Sequence, residues 1–354
     1  MEAAMKRLLG SATLALGVLA AAAANGQEIT LRIGNYGGIF TETTNRCTAE
    51  YFTYRTGHKV RFTDGNPTDH LAKILASQGR GEPPLDLAYL DDGPHAQAVE
   101  SGVVEKIDRS IITNAEFVYE AAKVKGDFGI GINTSSVGLA YNTKIFAEQG
   151  IPEPKSWADL WNPKLANRVA VPDITTSAGM NFVIVAAWQV GKDERDVKDA
   201  WKKIADMKPH YFFKSSADLK SKFLAGDVWA APWYNGRSWQ TIREGFPMKY
   251  IFPDNKGFAQ ITFLDPVKGT KYKKEVMQYI NIALDPMVQL CNSSYLPYGP
   301  TNKTLTNVLA AYPRLSEQFP ASDAELSKMV LVDWDVVNRD FPKWLESWNR
   351  FVAK

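Results

Sequence analysis

Histidine and cysteine are scarce in this 354-residue chain, and its net charge is only +2. The four histidines, His58, His70, His95 and His210, are scattered without metal-ligand spacing, so no metal is expected. No basic tract is present, which argues against nucleic acid or an anionic membrane as the main partner. No nucleophile elbow, P-loop or H-E-x-x-H helix occurs, and Gly126, Gly129 and Gly131 do not form a dinucleotide fingerprint. No cofactor and no catalytic machinery are therefore expected. Two cysteines, Cys47 and Cys291, are consistent either with one disulfide or with two buried thiols.

Past residue 24 there is no apolar run that approaches a membrane span. The run before it is different. Lys6 and Arg7 precede an Ala- and Leu-rich stretch from Leu8 to Ala24, closed by small residues at Ala22, Ala24 and Gly26. This pattern predicts a cleavable secretory signal over residues 1–26, since the stretch is marginal against the ~20 apolar residues of a span. About 330 residues would remain, enough for two domains on the usual length of ~150. Ten Trp, 14 Tyr and 17 Phe supply a large core and a pocket lining.

The remaining chain alternates strands and helices. Ile29, Leu31 and Ile33 alternate with polar residues as in a half-buried strand. A helix is predicted from Phe40 to Thr56, ended by Gly57, then a strand over 59–63 and a helix over 69–78. Leu85–Leu90 reads as a strand broken by Asp91-Asp92-Gly93-Pro94, which starts another helix. The rhythm resumes with a strand at Val169–Val171, a long apolar helix opened by Thr175-Thr176-Ser177-Ala178-Gly179, and an amphipathic helix over 194–207. A strand at 228–233 follows. This is the pattern of an α/β protein with mostly parallel, doubly wound sheets. Segments 129–141 and 258–267 are candidate crossings between lobes that would allow a hinge motion.

Six stretches carry a family resemblance. They are Ile33-Gly-Asn-Tyr-Gly-Gly38, Tyr54-Arg-Thr-Gly-His-Lys-Val60, Gly102-Val-Val-Glu-Lys-Ile-Asp108, Val137-Gly-Leu-Ala-Tyr-Asn142, Ser156-Trp-Ala-Asp-Leu-Trp161 and Trp233-Tyr-Asn-Gly236. In this order and spacing the chain resembles the extracellular solute-binding proteins of ABC transporters, of the spermidine/putrescine-binding type, with the type II periplasmic binding fold. The resemblance implies two lobes and a ligand cleft between them: residues 27–137 and 260–325 in the first lobe, 138–259 in the second. The C-terminal helices of 326–354 would pack on the second lobe. It also implies a monomeric periplasmic protein that closes on a small molecule, delivers it to a permease and is not an enzyme. Cys47 and Cys291 would both fall in the first lobe.

Ligands of open α/β sheets sit at the carboxyl ends of strands. Four such ends supply candidates: Tyr36; Asp91 and Asp92; Thr175, Thr176 and Ser177; and Trp233 with Arg237. Tyr36 falls where the polyamine binders place an aromatic against ligand. Asp91 or Asp92 suits a ligand ammonium, or else caps a helix. Hydroxyls at a helix start suit an anion, Trp233 offers an aromatic face, and Arg237 offers a carboxylate clamp. Polyamine binders carry an acid after an aromatic in the stretch aligned with Phe258–Thr262; this chain has no acid there, and Ala259 replaces the aromatic. The expected ligand is therefore a small zwitterion or carboxylate, amino-acid-like, with a polyamine as the alternative. Iron is discounted because Tyr295 and Tyr298 are not adjacent. A hydrolase using Asp91 and Asp92 is the reading from another class.

Overall fold

The computed structural model describes residues 28–352; the expected signal over 1–26 lies outside the described residues. Strand β1 (Thr30–Asn35) buries Leu31 and Ile33 completely, as the alternation requires. It pairs in parallel with β2 (Lys59–Asp64) and β3 (Leu87–Asp91). The helix between β1 and β2 runs from Ile39 to Thr56 with a π-helical middle at Asn45–Ala49, and ends at Gly57, φ 74°. The π segment carries Cys47, which is bonded to Cys291 in the helix Pro286–Tyr295. That cross-link ties residues 244 positions apart and should stabilise the first lobe by about 2–5 kcal/mol.

Two long strands join the lobes, at the segments marked as crossings. Strand β4 (Ile130–Asn142) and, after the second-lobe strands β5 (Ala170–Pro172), β6 (Tyr211–Phe213), β7 (Ala230–Tyr234) and β8 (Met248–Ile251), strand β9 (Phe258–Pro266) run antiparallel from Ile130↔Leu264 to Val137↔Phe258. At its first-lobe end β9 continues the sheet beside β3, and β4 takes a short partner, β10 (Gly299–Pro300); its other end pairs with β7 and β8. The result is one eight-stranded mixed sheet plus a parallel pair, β5–β6. The α/β class holds, but the sheets are not mostly parallel. The two crossings are themselves strands, and a crossing followed by a return has to run antiparallel.

The predicted 194–207 helix shrinks to Ala200–Asp206. Ahead of it the Asp193 and Asp196 carboxylates accept the N–H groups of Arg195 and Lys198, two residues on. These side-chain turns compete with helical hydrogen bonding.

Each lobe has its own large core. Leu31, Phe52, Leu87, Tyr89 and Tyr279 anchor the first; Leu139, Tyr141, Trp157, Phe182 and Val183 anchor the second. A fully buried aromatic or Leu of this kind contributes about 1.5–3 kcal/mol. The last helix, Trp334–Phe351, inserts Val337, Trp344 and Trp348 into the second core. It also touches the first lobe, where Asn338 Nδ2 donates to Gly93 O at 2.9 Å.

Candidate ligand cleft

The carboxyl ends of β1, β2, β3, β5, β6 and β7 converge on one cavity of about 640 Å³. Tyr36, Asp91, Thr175, Thr176, Ser177, Trp233 and Arg237 all line it, so the structure brings seven of the eight candidates together. Asp92 is the exception.

Asp91 is the last residue of β3 and occupies the N-cap position of the helix Asp92–Glu100, yet its side chain makes no capping bond. The carboxylate turns into the cleft instead. Its Oδ1 accepts from the Tyr36 hydroxyl, and its Oδ2 accepts from Ser177 Oγ at 2.9 Å. Only 4 % of the residue is exposed, and this burial pushes the carboxyl up to about 6, against the pull of its two hydroxyl donors. Asp92, one position on, faces the other way and accepts the Ile261 N–H at 2.8 Å on Oδ2. Burial raises its carboxyl to about 7. The expectation that Asp92 serves the cleft is corrected: its carboxylate is a partner for the backbone of β9. The paired-carboxylate hydrolase reading loses its pair for the same reason.

Around the helix Ser177–Trp188 the hydroxyls divide their duties. Thr176 Oγ1 caps the helix by accepting from Gly179 N, and Thr175 Oγ1 donates to Asp173 Oδ1. Their side chains are engaged in the turn, while Ser177 reaches across to Asp91. The turn is tight enough that a Cβ on Gly179 would sit 1.9 Å from Asp173 O. Two more bonds join the cleft walls. Thr68 Oγ1 donates to Thr175 O at 2.8 Å, and Arg237 Nη2 approaches Gly37 O at 3.5 Å. The start of the helix Asn235–Arg243 packs directly on Tyr298: a Cβ at Gly236 would lie 2.3 Å from its ring. The two walls are thus in contact, as in a closed clamp.

Trp233 touches the cavity but is 1 % exposed, with Phe223 stacked on it at 5.8 Å and its Nε1 donating to Ser216 Oγ. It is a core residue of the second lobe more than an offered face. The next residue, Tyr234, and also Tyr298 line the cleft as Tyr36 does; burial raises the hydroxyl pKa of all three. Sequence reading missed Tyr234 because alternation along β7 puts neighbours on opposite faces, and a one-residue shift exchanges them. Thr68, Ser135, Gln260 and Thr262 were also missed, and no local motif marks them.

The charges of the cleft divide by depth. Glu42, Asp64 and Asp69 are exposed at its edge. Deeper in, Asp91 is hydrogen-bonded on both oxygens. Arg237 is half-buried, and among the described residues no carboxylate comes within salt-bridge distance of it. Among the described residues no cluster of His, Cys, Asp or Glu is arranged to hold a metal, and no helix is long and apolar enough to cross a membrane.

Comparison with known proteins agrees with this architecture. The sequence profile of bacterial extracellular solute-binding proteins matches residues 48–320. The spermidine/putrescine-binding periplasmic protein of Salmonella typhimurium is 23 % identical over 291 residues, 80 % of each chain. The structure of the binding protein AgtB of A. tumefaciens R10 in complex with agropinic acid superposes with a TM-score of 0.76, at 21 % identity, over 92 % of this chain and 99 % of that one. The Atu4243 GABA receptor gives 0.73 at 20 % identity, over 91 % of this chain and 97 % of that one.

Proposed function

Because the chain belongs to the bacterial extracellular solute-binding proteins, which capture a solute for an ABC importer and are not enzymes, we propose that its solute is a small zwitterion or carboxylate of the amino-acid-like kind. One observation carries this reading. Among the described residues, the cationic group of the cleft without a carboxylate partner is Arg237, whereas the deeply buried carboxylate that lines it, Asp91, already holds two hydroxyl donors. A ligand carboxylate completes Arg237 in a two-pronged hydrogen bond. The ligand ammonium is met by Asp91 and by the faces of Tyr36, Tyr234 and Tyr298. Agropinic acid and GABA, named with two similar folds, are both carboxylic acids. The protein acts as a periplasmic monomer that delivers the closed complex to its permease.

A polyamine is the second reading, favoured by the exposed acids Glu42, Asp64 and Asp69 at the cleft edge and by the Salmonella relative. It leaves Arg237 facing ammonium groups, which is unfavourable at close range. The test is a thermal-shift screen against amino acids, small carboxylates, sugars and polyamines, followed by titration calorimetry. A ligand at 100 times its Kd stabilises by about 2.7 kcal/mol. Hits among amino acids or carboxylates support the proposal; micromolar spermidine binding with no carboxylate binding sinks it.

A further inference from the structure

Among the described residues, the cleft holds one buried hydrogen-bonding side-chain atom without a partner. Gln260 lies on β9 opposite Ser135 of β4, where the two crossing strands pass from one lobe to the other. It lines the cleft, and only 2 % of it is exposed. Its Oε1 accepts from Ser135 Oγ at 3.4 Å, while its Nε2 has no partner. Nine other described residues have an unpartnered buried side-chain atom, Asn35, His70 and Asp265 among them. None of the nine lines the cleft. A buried amide donor left without an acceptor is unfavourable, and among these described residues Gln260 alone holds one against the cleft.

We infer that Gln260 sets the polarity of the ligand: its amide nitrogen donates to a ligand oxygen, a carboxylate or hydroxyl, and thereby discriminates against polyamines. This rests on the carboxylate reading above and deepens it. A polyamine's polar groups are all N–H donors, so it meets a donor at Nε2 and can bond here only by turning the amide over, with Ser135 Oγ then accepting from Nε2 in place of donating to Oε1. A ligand with an oxygen at that point fills the vacancy as the lobes close. Gln260 and Arg237 then act in the same sense, since both present N–H donors to the cleft and, among the described residues, neither meets a carboxylate there. The amide also lies on a crossing strand and not on a lobe loop, so its place changes little as the clamp opens.

The experiment uses the whole mature protein in three forms: wild type, Gln260→Glu and Gln260→Met. Each is titrated with the tightest-binding carboxylate found among amino acids, small carboxylates and amino acid–sugar conjugates, and with spermidine. The Glu variant keeps the size of the side chain and replaces the donor by an acceptor. It should lose the carboxylate ligand by 100-fold or more and gain spermidine binding. The Met variant removes the unfilled donor. Its unliganded thermal midpoint should equal or exceed that of wild type, while its carboxylate affinity drops 10- to 100-fold. A purely structural role predicts the reverse, a lower midpoint with affinity retained. Unchanged carboxylate affinity in either variant overturns the role of Gln260 and leaves the carboxylate reading standing. Wild type that binds spermidine and no carboxylate overturns both.

Discussion

Two carboxylates one peptide bond apart, Asp91 and Asp92, belong to different parts of this machine. Asp91 opens into the cleft and holds hydroxyls from both lobes, Tyr36 from the first and Ser177 from the second. Asp92 looks back into the first lobe, toward a buried group built from Ile261 N–H, His95 and Asp265. There His95 Nδ1 lies 2.8 Å from Asp265 Oδ1, and its ring stacks on Phe263 at 4.1 Å. The cleft region is polar and incomplete: among the described residues Arg237 has no carboxylate partner and Gln260 Nε2 has no acceptor. The region behind it is polar and nearly closed on itself. The same residue type at one strand end thus serves recognition on one face and the positioning of crossing strand β9 on the other.

Removing Asp265 should damage folding and spare recognition. Asp265 is fully buried, and its loss leaves His95 without its acceptor. Breaking one side of a buried pair costs about 3–5 kcal/mol. Asp265→Ala should therefore show a large drop in denaturant midpoint, while carboxylate affinity measured well below that midpoint changes less than threefold. A variant that unfolds no more readily than wild type would erase the contrast between the regions.

Arg237→Ala should do the opposite. Truncating one partner of a desolvated charge pair costs about 2–5 kcal/mol in binding. A 100- to 1,000-fold loss of carboxylate affinity is expected, with the unliganded melting curve nearly unchanged. Calorimetry that finds affinity intact would remove Arg237 from the site.

The closed region also has a pH signature. Burial holds the Asp92 carboxyl at about 7, far above its ordinary value, so the folded protein keeps that proton where the unfolded chain has lost it. The associated stability is present below about pH 4 and disappears as pH rises toward 7. For His95, burial alone would lower the pKa, but Asp265 overrides it and holds the ring above the ordinary histidine range. Its contribution is present below about pH 6.5 and fades above it. Both groups act in the same direction, so the wild-type midpoint should fall from pH 5 to pH 8. Asp92→Asn, with its Oδ1 still able to accept from Ile261, should flatten the lower part of that fall and gain roughly 2–4 kcal/mol at pH 8. A melting series in which the variant keeps the wild-type slope would count against the burial argument.

How much of this was legible in the sequence follows from the range of each signal. The alternation Ile29, Leu31, Ile33 and the stop at Gly57 are local, and the observed strand and helix follow them closely. The cleft loops were found because strand ends are local too. The face a side chain takes at such an end depends on twist and on what packs behind it. For that reason Asp92 turned away from the cavity and Trp233 is mostly taken up by the second core, where Asp91 and Tyr234 present polar groups to the cleft. Nor does any motif announce Gln260, whose meaning lies in a partner 125 residues away and in one that is absent. The antiparallel course of β4 and β9 is likewise a property of two distant segments meeting.

The finest probe of the comparison is the hydroxyl that links the two lobes through Asp91. Ser177→Ala removes one hydrogen bond to a charged group, worth about 1.5–3 kcal/mol at most and closer to 1 where water replaces it. Because that bond exists only when the walls meet, the loss falls on the closed state alone. The open population should rise, and apparent affinity should drop by about 3- to 30-fold in proportion. Tyr36→Phe also takes a donor from Asp91, but within one lobe, so it should leave the open–closed balance where it is. Small-angle scattering of the two unliganded variants separates these cases. A larger radius of gyration for Ser177→Ala than for Tyr36→Phe marks Ser177 as a closure contact. Equal radii would mean that Asp91 organises the cleft wall without helping to shut it.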